Sequence, residues 1–230
     1  MEQGSIDAFD SLASDYDAWY DRHTPEFAAE LRAVQAMLDA PDGSSQPRAA
    51  DRLEIGVGTG RFAAALGIRF GLEPAPRMAA YARDRGIATV IGVAEELPFA
   101  DSAFAVTAFI TSLCFVADPL RALREAHRVT RAEGSIVVAY LEPESEAGRR
   151  LLDEKADSPY YSTATLLSGR EVERLLSSAG FVVEDACHLE AVAAGGAERP
   201  EPHPGRTGGL FCVIRARRSS TAQDGGSMAP

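Results

Sequence analysis

The stretch LEIGVGTG at residues 53–60 decides the fold of this chain. It starts as an apolar strand, carries the acidic Glu54, and continues into glycines at alternate positions: Gly56, Gly58 and Gly60. Because glycine has no side chain, the backbone can turn sharply there and its N–H groups can approach a ligand closely. A second predicted strand, residues 68–72, stops at Glu73. Glycines followed at this distance by a carboxylate are typical of a site for a nucleoside-type ligand, with the acid on the ribose hydroxyls.

Length and charge limit the classes of partner. The chain has 230 residues, 46% of them hydrophobic, and a formal net charge of −11. This length fits one domain with additions, and the apolar content is ample for a core. Nucleic acids and anionic membrane surfaces attract basic proteins, so the acidic balance disfavours both. We therefore expect no nucleic-acid partner.

Cysteine use and the N-terminal residues predict a cytoplasmic protein. The cysteines are odd in number and show no C-x-x-C spacing, which argues against a disulfide framework and a structural zinc site: Cys114, Cys187 and Cys212. The first ten residues contain neither a basic nor an apolar region, so we expect no signal peptide. No apolar run approaches the roughly 20 residues of a membrane helix, so we expect no membrane span.

Alternating helix and strand patterns predict a mostly parallel α/β sheet covered on both faces. Strands are predicted over residues 50–55, 68–72, 88–93, 103–110, 135–141, 181–192 and 209–217. Helices are predicted over residues 59–66, 76–85, 119–131 and 169–179. In sheets of this kind, ligands bind beyond the carboxyl ends of the strands.

The flanking segments divide the chain into three parts. Residues 1–48 are predicted to hold N-terminal lid helices, one of them over residues 7–20, and a turn-rich linker. Residues 49–218 form the main domain, in which residues 193–208 are expected to be an irregular loop. Residues 219–230 lack apolar periodicity and are expected to be a disordered tail.

Four segments in order resemble the class I S-adenosylmethionine-dependent methyltransferases, in particular the small-molecule branch of ubiquinone and menaquinone biosynthesis. They are LEIGVGTGRF (53–62), GLEPAPRMAAYAR (71–83), VIGVAEELPFADSAF (90–104) and ADPLRALREAHRVTRAEGSIVV (117–138). The resemblance covers roughly residues 50–141. It implies a Rossmann-like seven-stranded sheet in the order 3-2-1-4-5-7-6 with the last strand antiparallel, and S-adenosyl-L-methionine as cofactor.

The resemblance also implies roles for individual residues. The cofactor-binding set is Tyr16, Tyr20, Glu54, Gly56, Gly58, Gly60, Glu73, Pro74, Met78, Ala94, Glu95 and Thr111. Within it, Glu73 would bind the ribose, Glu54 the α-ammonium group through water, and Thr111 would line the sulfonium side. Relatives often carry Asp before the alanine of the third segment, whereas this chain has Val93. Recognition of the adenine amine therefore shifts to Glu95 or to backbone carbonyls.

The catalytic residues stay open at this stage. Weak candidates are His23, Glu142 and Tyr160. His23 has a structural alternative as a solvated helix end and Tyr160 as a loop anchor, while Glu142 closes the fifth predicted strand on the active-site edge. A base is needed only if the acceptor atom must lose a proton. Tyr16 and Tyr20 fit a lid over the site and a packing stripe equally well.

These observations predict a methyltransferase that acts on an unidentified small molecule, as a monomer or a homodimer. Two alternatives remain. A nicotinamide-dependent oxidoreductase would be built on a related sheet, but the sixth position of its G-x-G-x-x-G motif is Arg61 here. A cofactor-binding sensor or partner domain would bind the ligand without turnover.

Overall fold

The structure is a computed structural model, and it describes residues 3–39, 51–190 and 201–219. The helices are α1 (Gln3–Ser11), α2 (Ala13–Arg22), α3 (Thr24–Leu38), α4 (Arg61–Ala65), α5 (Pro76–Asp84), α6 (Pro119–Val129), α7 (Glu146–Glu154) and α8 (Gly169–Ser178). The strands are β1 (Arg52–Ile55), β2 (Phe70–Glu73), β3 (Ala88–Ile91), β4 (Phe104–Ile110), β5 (Thr130–Leu141), β6 (Phe181–Leu189), β7 (Pro202–Pro204) and β8 (Phe211–Arg218).

The described strands form one mixed sheet in the order β3-β2-β1-β4-β5-β8-β6-β7. The first five strands of this order are parallel, and β8 lies antiparallel between β5 and β6. With β8 as the seventh predicted strand, this is the expected order 3-2-1-4-5-7-6. The predicted Rossmann-like fold, with its antiparallel last strand, is confirmed.

The sheet differs from the prediction by one edge strand. β7 falls within the segment that was expected to be irregular, and it pairs antiparallel with β6 alone. Proline at both ends of this strand cannot donate to a ladder, which restricts it to an edge. The predicted N-terminal helix is also two helices, α1 and α2, which meet at Leu12. The linker at residues 41–47 and residues 220–230 of the expected tail lie outside the described residues.

Two hydrophobic cores lie on opposite faces of the sheet, as a mostly parallel sheet requires. In β5, Ile136 and Val138 belong to the core that includes residues of α6 and α8. The alternate residues Val137 and Ala139 belong to the core that includes residues of α3 and α4. The middle of the sheet, at β5, is therefore buried on both faces.

The N-terminal helices pack over the end of the sheet that carries the glycine turn. α3 lies against β6 and β8 through buried residues such as Val34 and Leu38, and α1 lies against α5. This arrangement brings α1 and α2 over the carboxyl ends of β1, β2 and β4. None of the helices in the described part of the chain has the length and apolar character needed to span a membrane.

Candidate functional site

The glycine turn after β1 has a backbone that only glycine adopts easily. Gly56, Gly58 and Gly60 have φ of 76°, 55° and 81°. A Cβ atom on Gly56 would lie 2.5 Å from Cβ of Ser112, and one on Gly60 would lie 2.9 Å from Cα of Ala82. Gly60 thus permits tight packing between α4 and α5, while Gly56 keeps the turn close to the loop after β4.

Glu73 is tied to this turn by backbone hydrogen bonds. The N–H of Gly58 donates to Oε2 of Glu73 at 2.9 Å, and the N–H of Ala75 donates to Oε1 at 3.0 Å. Burial raises the pKa of Glu73 to about 7, against the opposing effect of these two bonds. Each carboxylate oxygen has a second lone pair, so the fixed carboxylate can still accept hydrogen bonds from a ligand.

Glu54 is a second buried acid beside the turn. Its side chain is 2% exposed, and its Oε2 has no hydrogen-bond partner among the described residues. Burial, with the charge of Glu73, raises its pKa well above the usual range. A buried carboxyl oxygen without a partner is costly, so a ligand that donates to it would be favoured.

A crevice with three connected lobes runs along the carboxyl ends of the strands. The rear lobe, about 280 Å³, is lined by residues that include Pro74, Val93, Ala94 and Glu95. Oε1 of Glu95 accepts from the N–H groups of Ala117 and Asp118 at 2.9 and 3.4 Å. The carboxylate of Glu95 thus also holds the start of α6.

The central lobe joins the glycine turn to the lid helices. It measures about 380 Å³, and its walls include Gly58, Glu73, Met78, Tyr16 and Thr111. Thr111 has φ of 51°, a genuine outlier for a β-branched residue. Its N–H donates to the carbonyl of Ala139 at 2.9 Å, and its hydroxyl donates to the carbonyl of Ile110 at 2.8 Å. Backbone strain of this kind clusters at functional sites.

The aromatic lobe is the largest of the three, at about 670 Å³. Its lining consists of Phe9, Tyr16, Trp19, Tyr20, Glu30, Thr111, Phe115, Leu141, Tyr160 and Tyr161. The hydroxyls of Tyr16 and Tyr20 are 2.9 Å apart, and their rings meet edge to face. The lobe is thus a box of aromatic rings with one acidic side chain, Glu30.

An ion-pair cluster attaches the lid helix α2 to the helix after the glycine turn. The guanidinium of Arg61 donates to both oxygens of Asp17, at 3.0 and 2.7 Å, and to both oxygens of Asp21, at 2.7 and 3.0 Å. Arg85 also donates to Asp17, at 2.8 Å. Burial opposes ionisation of Asp17, but these bonds lower its pKa to about 2.

The three catalytic candidates from the sequence occupy different places. Tyr160 lines the aromatic lobe. His23 stacks on Trp19 with ring centroids 4.1 Å apart, and its Nδ1 lies 2.9 Å from the carbonyl oxygen of Trp19. Glu142 is buried and accepts from the N–H groups of Glu144 and Gly169, at 3.0 and 2.9 Å. His23 and Glu142 line none of the three lobes.

Sequence reasoning missed two parts of the site, Glu30 and the Asp17–Arg61 pair. Glu30 lies three residues after Phe27 and four before Val34, on the apolar stripe of α3. An acid within such a stripe was the available signal. The Asp17–Arg61 pair joins residues far apart in the chain, and no local pattern indicates it.

The residues present fit S-adenosylmethionine. A largely apolar rear lobe suits a base, the fixed carboxylate of Glu73 suits ribose hydroxyls, and the orphaned oxygen of Glu54 suits a donor such as an ammonium group. The turn is open at Gly58, where an added Cβ would lie 3.9 Å from Cε1 of Tyr16.

Comparison with known proteins gives the same answer as this geometry. A family model described as "Methyltransferase domain" matches residues 53–138. The chain is 35% identical to a SAM-dependent methyltransferase of Thermotoga maritima, described as a possible histamine N-methyltransferase. Their structures agree with a TM-score of 0.85 over 92% of this chain and 99% of that one.

Two curated relatives are uncharacterized proteins. The chain is 34% identical to one from Methanocaldococcus jannaschii, over 76% of this chain and 82% of that one. It is 38% identical to one from Mycobacterium tuberculosis, over 77% of this chain but only 61% of the length of that relative.

The family match and the Thermotoga structure favour methyl transfer over nicotinamide-dependent oxidation and over a non-catalytic domain. The matched segment contributes the glycine turn, Glu73 and the whole rear lobe of the crevice. The chain therefore belongs to the S-adenosylmethionine-dependent methyltransferases.

Proposed function

We propose that the protein transfers the methyl group of S-adenosylmethionine to a small-molecule acceptor bound in the aromatic lobe. The continuity of the crevice is the observation that carries this proposal. Gly56 and Ser112 line both the rear and the central lobe, while Tyr16 and Thr111 line both the central and the aromatic lobe. A cofactor in the first two lobes would therefore present its methyl group to the third.

The proposed cofactor contacts divide among the lobes. Pro74, Ala94 and Glu95 would surround the adenine, Glu73 would bind the ribose, and Met78 would contact the adenosine. Gly56, Gly58 and Glu54 would hold the methionine part, with Gly60 shaping the turn. Tyr16, Tyr20 and Thr111 would stand at the methyl group. All of these residues except Glu54 and Gly60 line the three lobes, which supports the assignment.

The bound cofactor supplies a methyl group on a positively charged sulfur, which leaves as a neutral thioether. Little charge needs stabilisation at that sulfur, so alignment and the exclusion of water dominate catalysis. Phe9 and Tyr16 from the lid helices line both the central and the aromatic lobe, where they would help to exclude water. Thr111, held by two hydrogen bonds, lines both the central and the aromatic lobe.

The proposal extends to the setting of the protein. We propose a cytoplasmic enzyme, active as a monomer or a homodimer, in which residues 1–48 serve as the lid of the 49–218 domain. The free cysteines Cys114, Cys187 and Cys212 are consistent with a reducing compartment. The description of the Thermotoga relative as a possible histamine N-methyltransferase is consistent with a small acceptor.

Isothermal titration with S-adenosylhomocysteine, the demethylated cofactor, tests the cofactor site. Glu73→Ala removes hydrogen bonds to a charged acceptor, each worth about 1.5–3 kcal/mol, so we expect at least a tenfold loss of affinity. The control is Glu154→Ala, which removes an exposed acid on α7 and leaves the affinity unchanged. Equal affinity of the wild type and Glu73→Ala would refute the ribose assignment.

The acceptor can be found by incubating the protein with a metabolite extract and cofactor carrying a labelled methyl group. Mass analysis then identifies the labelled product. A protein that binds the cofactor but labels no compound in several extracts would contradict the enzymatic part of the proposal.

A further inference from the structure

Among the residues that the structure describes, Glu30 is the single acidic side chain in the wall of the aromatic lobe. Phe9 meets Phe115 edge to face at 4.9 Å between centroids, and Tyr160 lies 5.6 Å from Phe9 and 5.5 Å from Tyr16. Ring faces attract organic cations, and several rings around one space form the kind of cage that binds substituted ammonium groups. The lobe therefore joins two features that favour positive charge.

Nothing in the described part of the chain neutralises Glu30. Its carboxylate has no hydrogen bond or ion pair among these residues, and none of the residues lining the lobe is Lys, Arg or His. A partly desolvated carboxylate without a cation is unfavourable. When Glu30 is ionised, a ligand in the lobe would have to supply the cation that pairs with it.

We propose that the acceptor is a small amine, which binds as an ammonium ion against Glu30 and the aromatic rings and gives its proton to Glu30 before methylation. This inference rests on the proposed function, because it names the acceptor class of the same site. Glu30 would then be the catalytic base, a role not expected for it from the sequence.

The chemical step balances with this assignment. The ammonium ion loses one proton to the carboxylate of Glu30, which frees the nitrogen lone pair. A bond then forms between that nitrogen and the methyl carbon, and the carbon–sulfur bond breaks with its electron pair left on sulfur. The product is a methylated ammonium ion and a neutral thioether, and no oxidant or further reactant is needed.

The electrostatic surroundings of Glu30 support a base. Burial, with the charge of Glu26 on the same helix, raises the pKa of Glu30 to about 8. The titratable groups that face it from other elements are the phenols of Tyr16, Tyr20 and Tyr161. Burial raises the pKa of each phenol, so these groups stay neutral where Glu30 titrates. The raised pKa of Glu30 reduces the difference between its pKa and that of an alkylammonium ion, which makes the proton transfer easier.

The test uses the full chain, 2-phenylethylamine and its uncharged near-isostere 2-phenylethanol. The chain has one tryptophan, and Trp19 lines the lobe, so its fluorescence reports binding there. Titrations are made with saturating S-adenosylhomocysteine, which cannot donate a methyl group. The variants are Glu30→Gln, which keeps the size of the side chain, and the control Glu154→Gln on exposed α7.

The wild type and Glu154→Gln are expected to bind the amine at least tenfold more tightly than the alcohol. Glu30→Gln should lose this preference while its affinity for the alcohol stays within about twofold. Calorimetry at pH 7 in buffers of different ionisation enthalpy should show nearly one proton released per amine bound, and none with Glu30→Gln.

Three outcomes would overturn the inference: no measurable binding of the amine, equal binding of amine and alcohol by the wild type, or an unchanged preference in Glu30→Gln. The proposed function fails in a different way. If S-adenosylhomocysteine does not bind the wild type, methyl transfer is refuted whatever the amine does. If it binds while the amine preference is absent, only the acceptor class is wrong.

Discussion

The N–H of Gly58 donates to Oε2 of Glu73 across 2.9 Å, so the residue at the centre of the glycine turn fixes the acid at the end of β2. The N–H of Ala75 holds the other oxygen of the same carboxylate. This double attachment aims Glu73 into the central lobe before any ligand arrives. Preorganisation of this kind reduces the cost of ordering a side chain on binding.

The first prediction concerns the pH dependence of cofactor binding. Ribose hydroxyls donate to an ionised carboxylate, whereas the protonated acid with a pKa of about 7 has to lose its proton first. We expect the affinity for S-adenosylhomocysteine to fall about tenfold from pH 8 to pH 6 in the wild type. Glu73→Gln should bind more weakly at pH 8 and show a flatter profile. Calorimetry from pH 6 to pH 8 measures both affinities. If the affinities of the wild type and Glu73→Gln change in parallel with pH, Glu73 does not bind the ribose as an ionised carboxylate.

The second prediction concerns the attachment of the lid. Asp17→Asn removes the charge that pairs with both Arg61 and Arg85, and it leaves these cations without their shared partner. We expect a loss of several degrees in the midpoint of thermal unfolding and about tenfold weaker binding of S-adenosylhomocysteine, because the lid would no longer be held over the crevice.

Asp21→Asn is the matched control for the lid. Asp21 pairs with the same Arg61, but its side chain is 66% exposed, so the pair contributes little. The stabilisation by Asp17 is present above its unfolded pKa, near 3.8, and is lost as the pH falls through about 2. The difference between the two variants should therefore persist from pH 5 to pH 8. Equal losses in the two variants would show that burial of Asp17 does not matter.

The third prediction concerns the strain at Thr111. Glycine adopts a φ of 51° without cost, so Thr111→Gly should unfold within about 2 °C of the wild type despite the loss of a side chain. Thr107→Gly, in the buried strand β4, should lose several degrees, since Thr107 packs in the core and its hydroxyl lies 3.0 Å from that of Thr130.

Thr111→Gly should nevertheless weaken binding of S-adenosylhomocysteine about three- to tenfold, because the wall between the central and aromatic lobes is no longer ordered in advance. Thermal unfolding and calorimetry of the same samples measure both effects. If Thr111→Gly unfolds as early as Thr107→Gly, the positive φ stores no strain of consequence.

The glycine turn could be predicted from the sequence because local chemistry imposes it, whereas the order of the strands followed from the resemblance to the methyltransferase family. Alternate glycines are needed where Gly56 meets Ser112 and Gly60 meets Ala82, and the alternation of strands and helices leaves few topologies. Likewise, an acid that ends β2 has to lie beside the glycine turn, because parallel strands end at the same edge of the sheet.

The lid and the aromatic lobe could not be predicted in the same way. Their geometry depends on how α2 and α3 dock on the sheet, and Asp17 and Arg61 are 44 residues apart. Periodicity places Glu30 on the apolar stripe of α3 but does not say what faces it. The contacts of Tyr160 with Phe9 and Tyr16 likewise depend on how the segment after α7 folds. The sequence pattern does not predict α7 itself.

The last prediction uses stability to test the state of Glu30 without any ligand. Its pKa is about 8 in the folded protein and near 4.5 in the unfolded chain, so the folded state holds an extra proton between these values. The contribution of this proton to the free energy of unfolding is fully present below pH 4.5 and is lost as the pH rises through 8. Glu54 and Glu73 also have raised pKa values and add slopes of the same sign, so the wild-type profile alone does not isolate Glu30.

Comparison of the wild type with Glu30→Gln isolates the contribution of Glu30 to the pH dependence of stability, because both proteins contain the other acids. We expect the midpoint of thermal unfolding of the wild type to fall relative to that of Glu30→Gln between pH 5 and pH 9, by several degrees in total. Adding 2-phenylethylamine at pH 9 should restore much of the difference in the wild type alone, since the ammonium ion stabilises the ionised carboxylate. If the two profiles stay parallel, Glu30 ionises as an exposed acid does, and the lobe around it offers no desolvated base to an amine.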